Sequence, residues 1–267
     1  MGQALVEKLL PAMAKMSWPE AGSATPQGHS AYLIGLEKLD MYKGDPKELL
    51  GAMRTFISGE SAPYAYAGAA NTLILAAKEK DESYAAAGLE SAMDYLERAQ
   101  ATSPDIVEIN VTEAYVYIYN GRFEDARLVL DYLHDADIGN FYVARAEVAF
   151  WQQQGNVEEA ISWTQKAISY ADVVPKKLRL KWQLGDFYMQ QDMMDEALEV
   201  YKEAVHFDRE NVNLWYKISF IYFKQENYEE ADRYIQKALS IKDFPAGRKL
   251  EAALKEKMGK GTTGLFG

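Results

Sequence analysis

Residues 197–204 read ALEVYKEA, and residues 231–238, which lie 34 positions later, read ADRYIQKA. Both segments have alanine at each end and a larger side chain between, Tyr201 in the first and Ile235 in the second. Residues four and three apart lie on one face of an α-helix. The repetition therefore predicts two equivalent helices, each of which packs closely against a neighbour through its small residues.

The same spacing extends through most of the chain. A first column of small residues, at intervals of 34, 34, 37 and 34, contains Ala92, Ala126, Ala160, Ala197 and Ala231. A second column at identical intervals contains Ala99, Leu133, Ala167, Ala204 and Ala238. Small side chains are needed where two helices cross closely, because larger ones hold the backbones apart. The columns predict a series of helix pairs.

Turn residues recur between the helices of each predicted pair. The turns are Asn120-Gly121, Gly155-Asn156 and Glu226-Asn227. Glycine or asparagine there can adopt the left-handed conformation that ends a helix. The single interval of 37 residues is explained by three extra residues near 174–176, which we assign to a loop between repeats.

This pattern resembles the tetratricopeptide repeat, a helix–turn–helix unit of 34 residues. Besides the alanine columns, the likeness is carried by Leu184-Gly185-x-x-Tyr188 and Trp215-x-x-Ile218-Ser219-x-x-Tyr222. The resemblance implies an all-α fold, a right-handed superhelical solenoid of about six antiparallel helix pairs with N- and C-terminal helical caps.

The expected organisation has three parts: residues 1–29 as an N-terminal helix and linker, 30–245 as the repeat array, and 246–267 as a capping helix and flexible tail. Clear repeats are expected at 107–140, 141–177, 178–211 and 212–245, and divergent ones at 30–63 and 64–106.

Two terminal segments each leave two interpretations open. The N-terminal helix, interrupted by Pro11, either packs on the first repeat or is an amphipathic segment that binds a partner or a membrane. The tail Gly264-Leu265-Phe266-Gly267 is either a disordered end or a docking motif.

Composition limits the possible functions. The chain has 267 residues and a formal net charge of −11, and its basic residues are scattered, so nucleic-acid binding is disfavoured and a membrane is reached only through another protein. The absence of cysteine excludes disulfides and thiolate metal sites. No apolar run approaches the roughly 18–20 residues of a membrane span, and the charged pair Glu7-Lys8 breaks any signal-peptide core. We expect a cytoplasmic protein.

Motifs for catalysis or metal binding are weak. His29, His134 and His206 lie far apart and form no HxxxH or HExxH pair. Residues 259–263 (GKGTT) lack the leading glycine of a phosphate loop, and residues 135–139 (DADIG) are too short for a calcium loop. We therefore expect no catalytic residues, no metal, no cofactor and no enzyme activity.

The family likeness also implies where a partner binds. In the family, first helices line a concave groove, and positions 5, 9 and 13 of each unit point into it, with position 2 beside them. Residues four apart stack on one helical face. Carried over to this sequence, the partner-binding candidates are Tyr115, Tyr119, Tyr142, Arg145, Arg179, Trp182, Tyr216, Phe220 and Lys224. Alternatively, these side chains fill the core between repeats or are covered by the protein's own N-terminal segment.

The expected function is that of a non-catalytic scaffold or adaptor that binds a peptide or helix of a partner protein, as an assembly factor or co-chaperone. Relatives that hold chaperone tails have lysine and asparagine at positions 5 and 9. Here these positions are Val111/Tyr115, Arg145/Ala149, Trp182/Asp186 and Tyr216/Phe220, so chaperone-tail binding is disfavoured. Two alternatives remain: a structural homo-oligomer whose groove holds its own terminus or another copy, and a peptide-sensing regulatory module.

Overall fold

The computed structural model of the protein describes residues 1–20, 22–79, 83–136 and 140–262, the last three without their side chains. The described residues form fourteen α-helices and no β-strand, with one isolated bridge between Lys78 and Tyr84. The helices are α1 (Gly2–Met13), α2 (Pro26–Asp40), α3 (Pro46–Ser58), α4 (Ala62–Ala77), α5 (Ala86–Gln100), α6 (Val107–Tyr119), α7 (Phe123–Ala136), α8 (Phe141–Gln153), α9 (Val157–Tyr170), α10 (Val174–Gln190), α11 (Met194–Phe207), α12 (Val212–Lys224), α13 (Tyr228–Ile241) and α14 (Pro245–Thr262). The all-α prediction is confirmed among the described residues.

The chain divides into two compact units. Unit 1 comprises Met1–Asn156 and contains α1 to α8, and unit 2 comprises Val157–Gly267 and contains α9 to α14. In unit 1, α2 pairs with α3, α4 with α5 and α6 with α7, and the first helices α2, α4, α6 and α8 each contact the next. In unit 2, α10 pairs with α11 and α12 with α13, and α14 packs on α13 and α12.

The residues of both columns lie where they were predicted to lie. All ten side chains are fully buried at the helix crossings. Glycine has the same role at the closest approaches: a Cβ on Gly185 would lie 2.4 Å from the ring of Tyr201, and one on Gly68 would lie 2.3 Å from the ring of Phe56. Van der Waals packing of large side chains against small ones thus sets the spacing of the helices.

Helix α1 packs on unit 1 rather than standing apart from it. Val6, Leu9 and Met13 are buried against α3, α4 and α5. The helix is continuous and ends two residues after Pro11. Beyond it, the ring of Trp18 stacks on Tyr66, with centroids 5.5 Å apart, and so fixes the following segment to α4.

Two turns behave as predicted and a third differs. Gly121 and Gly155 adopt left-handed backbone with φ of 71° and 74°. In the third turn the left-handed residue is Glu226 (φ 60°) and not Asn227, whose side chain instead accepts a hydrogen bond from the backbone N–H of Glu230 and caps α13. Asparagine is also a good N-cap, so the same residue type fits either role.

Residues 174–176 are helical, which corrects their assignment to a loop. Helix α10 begins at Val174 and has 17 residues, whereas α8 and α12 have 13 each. The extra residues therefore add one turn to the start of α10. Between α4 and α5, Lys78 and Tyr84 form an isolated antiparallel bridge. Of the other sequence features, Asp137, Gly139 and the segment Gly264–Gly267 lie outside the described residues.

Candidate partner-binding faces

Four of the nine candidate residues lie on α6 and α8 of unit 1, and we call them the α6–α8 face: Tyr115, Tyr119, Tyr142 and Arg145. All four are partly buried. The ring of Tyr119 stacks on Tyr115 at 6.0 Å and on Tyr84 at 4.3 Å between centroids. Arg145 is paired with Asp40 at the end of α2, with Nη1 3.3 Å from each carboxylate oxygen.

Helix α2 is tied to α6 at its other end as well. His29 Nε2 lies 2.8 Å from Glu108 Oε1. One turn further, the hydroxyls of Tyr32 and Thr112 lie 3.3 Å apart, and Nδ2 of Asn71 on α4 donates to both, at 3.1 and 2.8 Å. Side chains in the first half of α2 therefore contact α6, and Asp40 at its last residue contacts α8.

Burial dominates the electrostatics of this region. It raises the pKa of the Tyr32 and Tyr115 hydroxyls well above their usual value, and it raises that of Tyr64 to about 12. Burial lowers the pKa of Arg145, but the charge of Asp40, the neighbouring Tyr115 and Tyr119, and the hydrogen bond to Asp40 together raise it overall. The tyrosines are thus neutral hydrogen-bonding groups, and the arginine is a permanent cation matched by an acid.

The other five candidates belong to unit 2, and we call them the α10–α12 face: Arg179, Trp182, Tyr216, Phe220 and Lys224. The first four are partly buried and Lys224 is exposed. The rings of Tyr216 and Phe220 are stacked 6.3 Å apart, and Phe244 meets Tyr216 edge-on at 5.6 Å. Lys224 Nζ lies 5.5 Å from the centroid of Phe220. Three of these residues therefore form a row along α12, two aromatic rings followed by a cation.

A polar group joins the two helices of the α10–α12 face. Asp186 on α10 accepts hydrogen bonds from the Tyr201 hydroxyl on α11 and from Lys217 Nζ on α12. Burial, followed by the bond to Asp186, raises the pKa of Tyr201. The nearby indole Nε1 of Trp182 is buried without an acceptor among the described residues. The polar contacts fix the position of α10 relative to α12. The aromatic row lies on the same helix, α12.

The sequence reasoning missed a buried carboxylate. Glu147 on α8 is fully buried, and its oxygens accept from Arg127 at 2.7 and 3.1 Å, with His134 Nε2 2.8 Å from Oε1. His134 lies in the last turn of α7 and pairs with this carboxylate. Alignment of the repeats offered a signal for this buried carboxylate. The position of Glu147 is apolar in the two following units, where it is Leu184 and Ile218.

No group of three or more metal-ligating side chains is present in the described ranges. In the described part of the chain, His206 Nδ1 lies 2.7 Å from the backbone carbonyl oxygen of Lys202. Among the described residues, none of the helices has both the length and the apolar character needed to cross a membrane.

Two family profiles match the chain in unit 2. The profile described as TPR repeat matches residues 185–226, and the one described as tetratricopeptide repeat matches residues 212–243. Both intervals include Tyr216, Phe220 and Lys224 of the α10–α12 face. The sequence likeness is therefore concentrated in the region where the aromatic row lies.

Solved structures of similar fold include PilF of Pseudomonas aeruginosa, with 18% identity and a TM-score of 0.59, covering 76% of this chain and 86% of that one. YrrB, described as a TPR protein with an unusual peptide-binding site, has 18% identity and a TM-score of 0.50, covering 68% and 92%. At such identities the likeness shows the fold alone. The human protein O-mannosyl-transferase TMTC1 is 24% identical over 153 residues, which are 57% of this chain and 17% of that protein.

Proposed function

Because this chain is a tetratricopeptide repeat protein, with the fold of a protein–protein interaction scaffold, we propose that it binds a peptide or helix of a partner protein through the α10–α12 face. The protein then acts as a non-catalytic adaptor, as an assembly factor or co-chaperone. A peptide-binding site is also described for YrrB, which shares the fold.

The aromatic row on α12 carries this proposal. Tyr216 and Phe220 are stacked but only partly buried, and Lys224 stands exposed at the end of the row. Partly buried aromatic rings are strong binding anchors because they bury a large area at a low cost in side-chain entropy. Their stacking fixes their rotamers before a partner arrives, which reduces the entropy lost on binding.

The row also suggests the chemistry of the ligand. Tyr216 and Phe220 provide an apolar surface, and the exposed ammonium group of Lys224 lies 5.5 Å from the ring of Phe220. A segment with one or two large apolar side chains followed by a carboxylate matches this arrangement. Electrostatic complementarity of this kind contributes to specificity and to the association rate.

The α6–α8 face has a different role in this proposal. Arg145 is paired with Asp40, and Tyr119 is stacked between Tyr84 and Tyr115. A partner that bound Arg145 would compete with Asp40 for the guanidinium group. We therefore assign four residues to packing within unit 1: Tyr115, Tyr119, Tyr142 and Arg145. In this assignment the helix that contacts them is α2, and not the N-terminal helix α1.

Affinity capture with three forms of the full chain tests the proposal. The test variant combines Tyr216→Ala with Phe220→Ala, and the control is Tyr170→Ala, which removes an exposed tyrosine from a second helix of the same unit. We expect proteins that wild type and control retain to be lost from the double variant, with helicity unchanged by circular dichroism. Equal capture by all three forms would overturn the assignment of the α10–α12 face.

A further inference from the structure

Two exposed apolar patches contain none of the residues assigned to the two faces above. On α7 of unit 1, Leu128 is 70% and Tyr132 50% exposed. They are four residues apart and so form one stripe on the helix. In unit 2, Val173 is 41% and Val174 52% exposed, at the start of α10. We call the first pair the α7 patch and the second the α10 patch.

The α7 patch is an exception among the repeats. The residues that align with Leu128 in the other second helices are Asp94, Ser162, Glu199 and Arg233. Those that align with Tyr132 are Arg98, Lys166, Glu203 and Lys237. Every other repeat thus has a polar or charged residue at both positions, as expected for a face in contact with water. Single exposed apolar residues are common, but a matched pair in one repeat alone points to a contact.

The α10 patch is also an exception, because it lies on the extra turn that lengthens α10 relative to α8 and α12. Pro175 at the start of this turn has the fixed φ that favours helix initiation. The turn adds nothing to the alanine columns, which keep their spacing on either side of it. Its residues are therefore available for a contact outside the repeat core.

The two patches carry opposite charge. Helix α7 contains four acidic residues, Glu124, Asp125, Asp131 and Asp135, and one arginine, Arg127, a net charge of −3 with His134 neutral. Residues 172–181 contain four basic residues and one acid, a net charge of +3: Lys176, Lys177, Arg179, Lys181 and Asp172. This basic cluster is an exception to the scattered distribution of cations in a chain of net charge −11.

We infer that the α7 patch of one copy of this chain binds the α10 patch of a second copy. Leu128 and Tyr132 would bury their exposed area against Val173 and Val174, and the acidic side chains around the first pair would face the basic turn of α10. A negatively charged chain repels its own copies over most of its surface, so self-association needs such a locally complementary pair. The contact joins different surfaces on the two copies, which makes it heterologous.

The α7 patch rests on a fixed support. Arg127 directly precedes Leu128 in the sequence and is held by the buried carboxylate of Glu147 on α8. Its guanidinium also lies 5.3 Å from the ring centroid of Phe150. These contacts hold α7 against α8, so the patch is presented without a loss of backbone freedom on binding.

Light scattering after size-exclusion chromatography of the full chain tests this inference. The measured mass of wild type should rise above the 30.1 kDa of one copy as concentration increases, and should rise less at high ionic strength. Leu128→Asp and Val174→Asp should each remain at one copy, and Lys177→Glu should weaken association. The control Ser162→Asp adds the same charge at the matched position of α9 and should associate like wild type.

An equimolar mixture of the two aspartate variants gives the most specific result. Each variant keeps one intact patch, so the mixture should recover association, limited to two copies. Wild type of constant single-copy mass would overturn the inference, as would variants that associate like wild type or a mixture that stays monomeric. Leu128, Val174 and Lys177 are exposed and Ser162 is partly buried, so circular dichroism melts of each variant check that the fold is intact.

Discussion

Arg145 and Asp40 are 105 positions apart in the chain, yet Nη1 of the arginine lies 3.3 Å from both carboxylate oxygens of the aspartate. The pair joins α8 to the last residue of α2. At the other end of α2, His29 and Glu108 are 2.8 Å apart. Both ends of helix α2 are therefore linked by side-chain pairs to the first helices of later repeats.

A double-mutant cycle on Asp40→Ala and Arg145→Ala measures the coupling free energy of this ion pair. Both side chains are about a quarter to a third exposed, so we expect each single change to lower the free energy of unfolding by about 1 kcal/mol. The double variant should cost less than the sum of the two. Urea unfolding provides the values. Arg122 and Asp125, a more exposed pair, form the control cycle, with an expected coupling of at most about 0.5 kcal/mol.

Glu147→Gln should destabilise unit 1 more than Asp40→Ala or Arg145→Ala does. The neutral amide leaves Arg127 without its buried counter-ion and gives His134 a poorer partner. We expect a loss of about 2 kcal/mol, below the range for fully buried pairs because the guanidinium and imidazole retain contact with water. Asp131→Asn is the matched control, because Asp131 pairs with the same arginine but is exposed. Equal losses from both variants in urea unfolding would contradict the prediction.

Gly68→Ala and Gly51→Ala should have opposite effects. A Cβ on Gly68 would overlap the buried ring of Phe56, which predicts a loss of roughly 1–3 kcal/mol through overpacking. A Cβ on Gly51, in the middle of α3, would meet no atom within 4 Å. Alanine there should stabilise the helix by about 0.5–1 kcal/mol.

Thermal unfolding of the two variants beside wild type distinguishes these effects. Adding Phe56→Leu to Gly68→Ala should recover part of the loss, because the smaller side chain makes room for the new methyl group. If both glycine variants raised the midpoint, helix propensity rather than packing would govern the two sites.

The helix pairs could be predicted from the sequence because each repeat is decided locally. Where two helices cross closely, only a small side chain fits, and the ten column positions are accordingly fully buried. The left-handed turns at Gly121 and Gly155 follow from the same local geometry. By contrast, the extra turn of α10 was assigned to a loop, because valine, valine and proline are common both in loops and at helix starts.

The contact of helix α2 with α6 and α8 could not be predicted in the same way. The contact of α2 with α6 and α8 depends on small rotations between successive helices, which add up over several repeats and leave no mark in any one of them. Arg145 and Tyr115 were therefore predicted as groove residues from their position alone. A partial signal did exist for Glu147, a charged residue at a position that is apolar in two other repeats.

The stability of the C-terminal helix should depend on pH through Glu251. Hydrogen bonds from Lys255, then Gln236 and Arg248, lower the pKa of this carboxyl from 4.5 to about 2. Gln236 belongs to α13, so the carboxylate joins α14 to the preceding helix. Between these two pH values the unfolded chain binds more protons at this position than the folded chain does.

It follows that Glu251 stabilises the fold fully above pH 4.5, and that this contribution is lost as the pH falls towards about 2. Glu251→Gln should lower the free energy of unfolding at neutral pH and make it less dependent on pH within that window, relative to wild type. Lys255→Ala removes the first of the three donors, so its pH dependence should lie between the two. Urea unfolding at a series of pH values tests this order. Identical slopes for wild type and Glu251→Gln would show that the hydrogen bonds to this carboxylate do not hold α14 on α13.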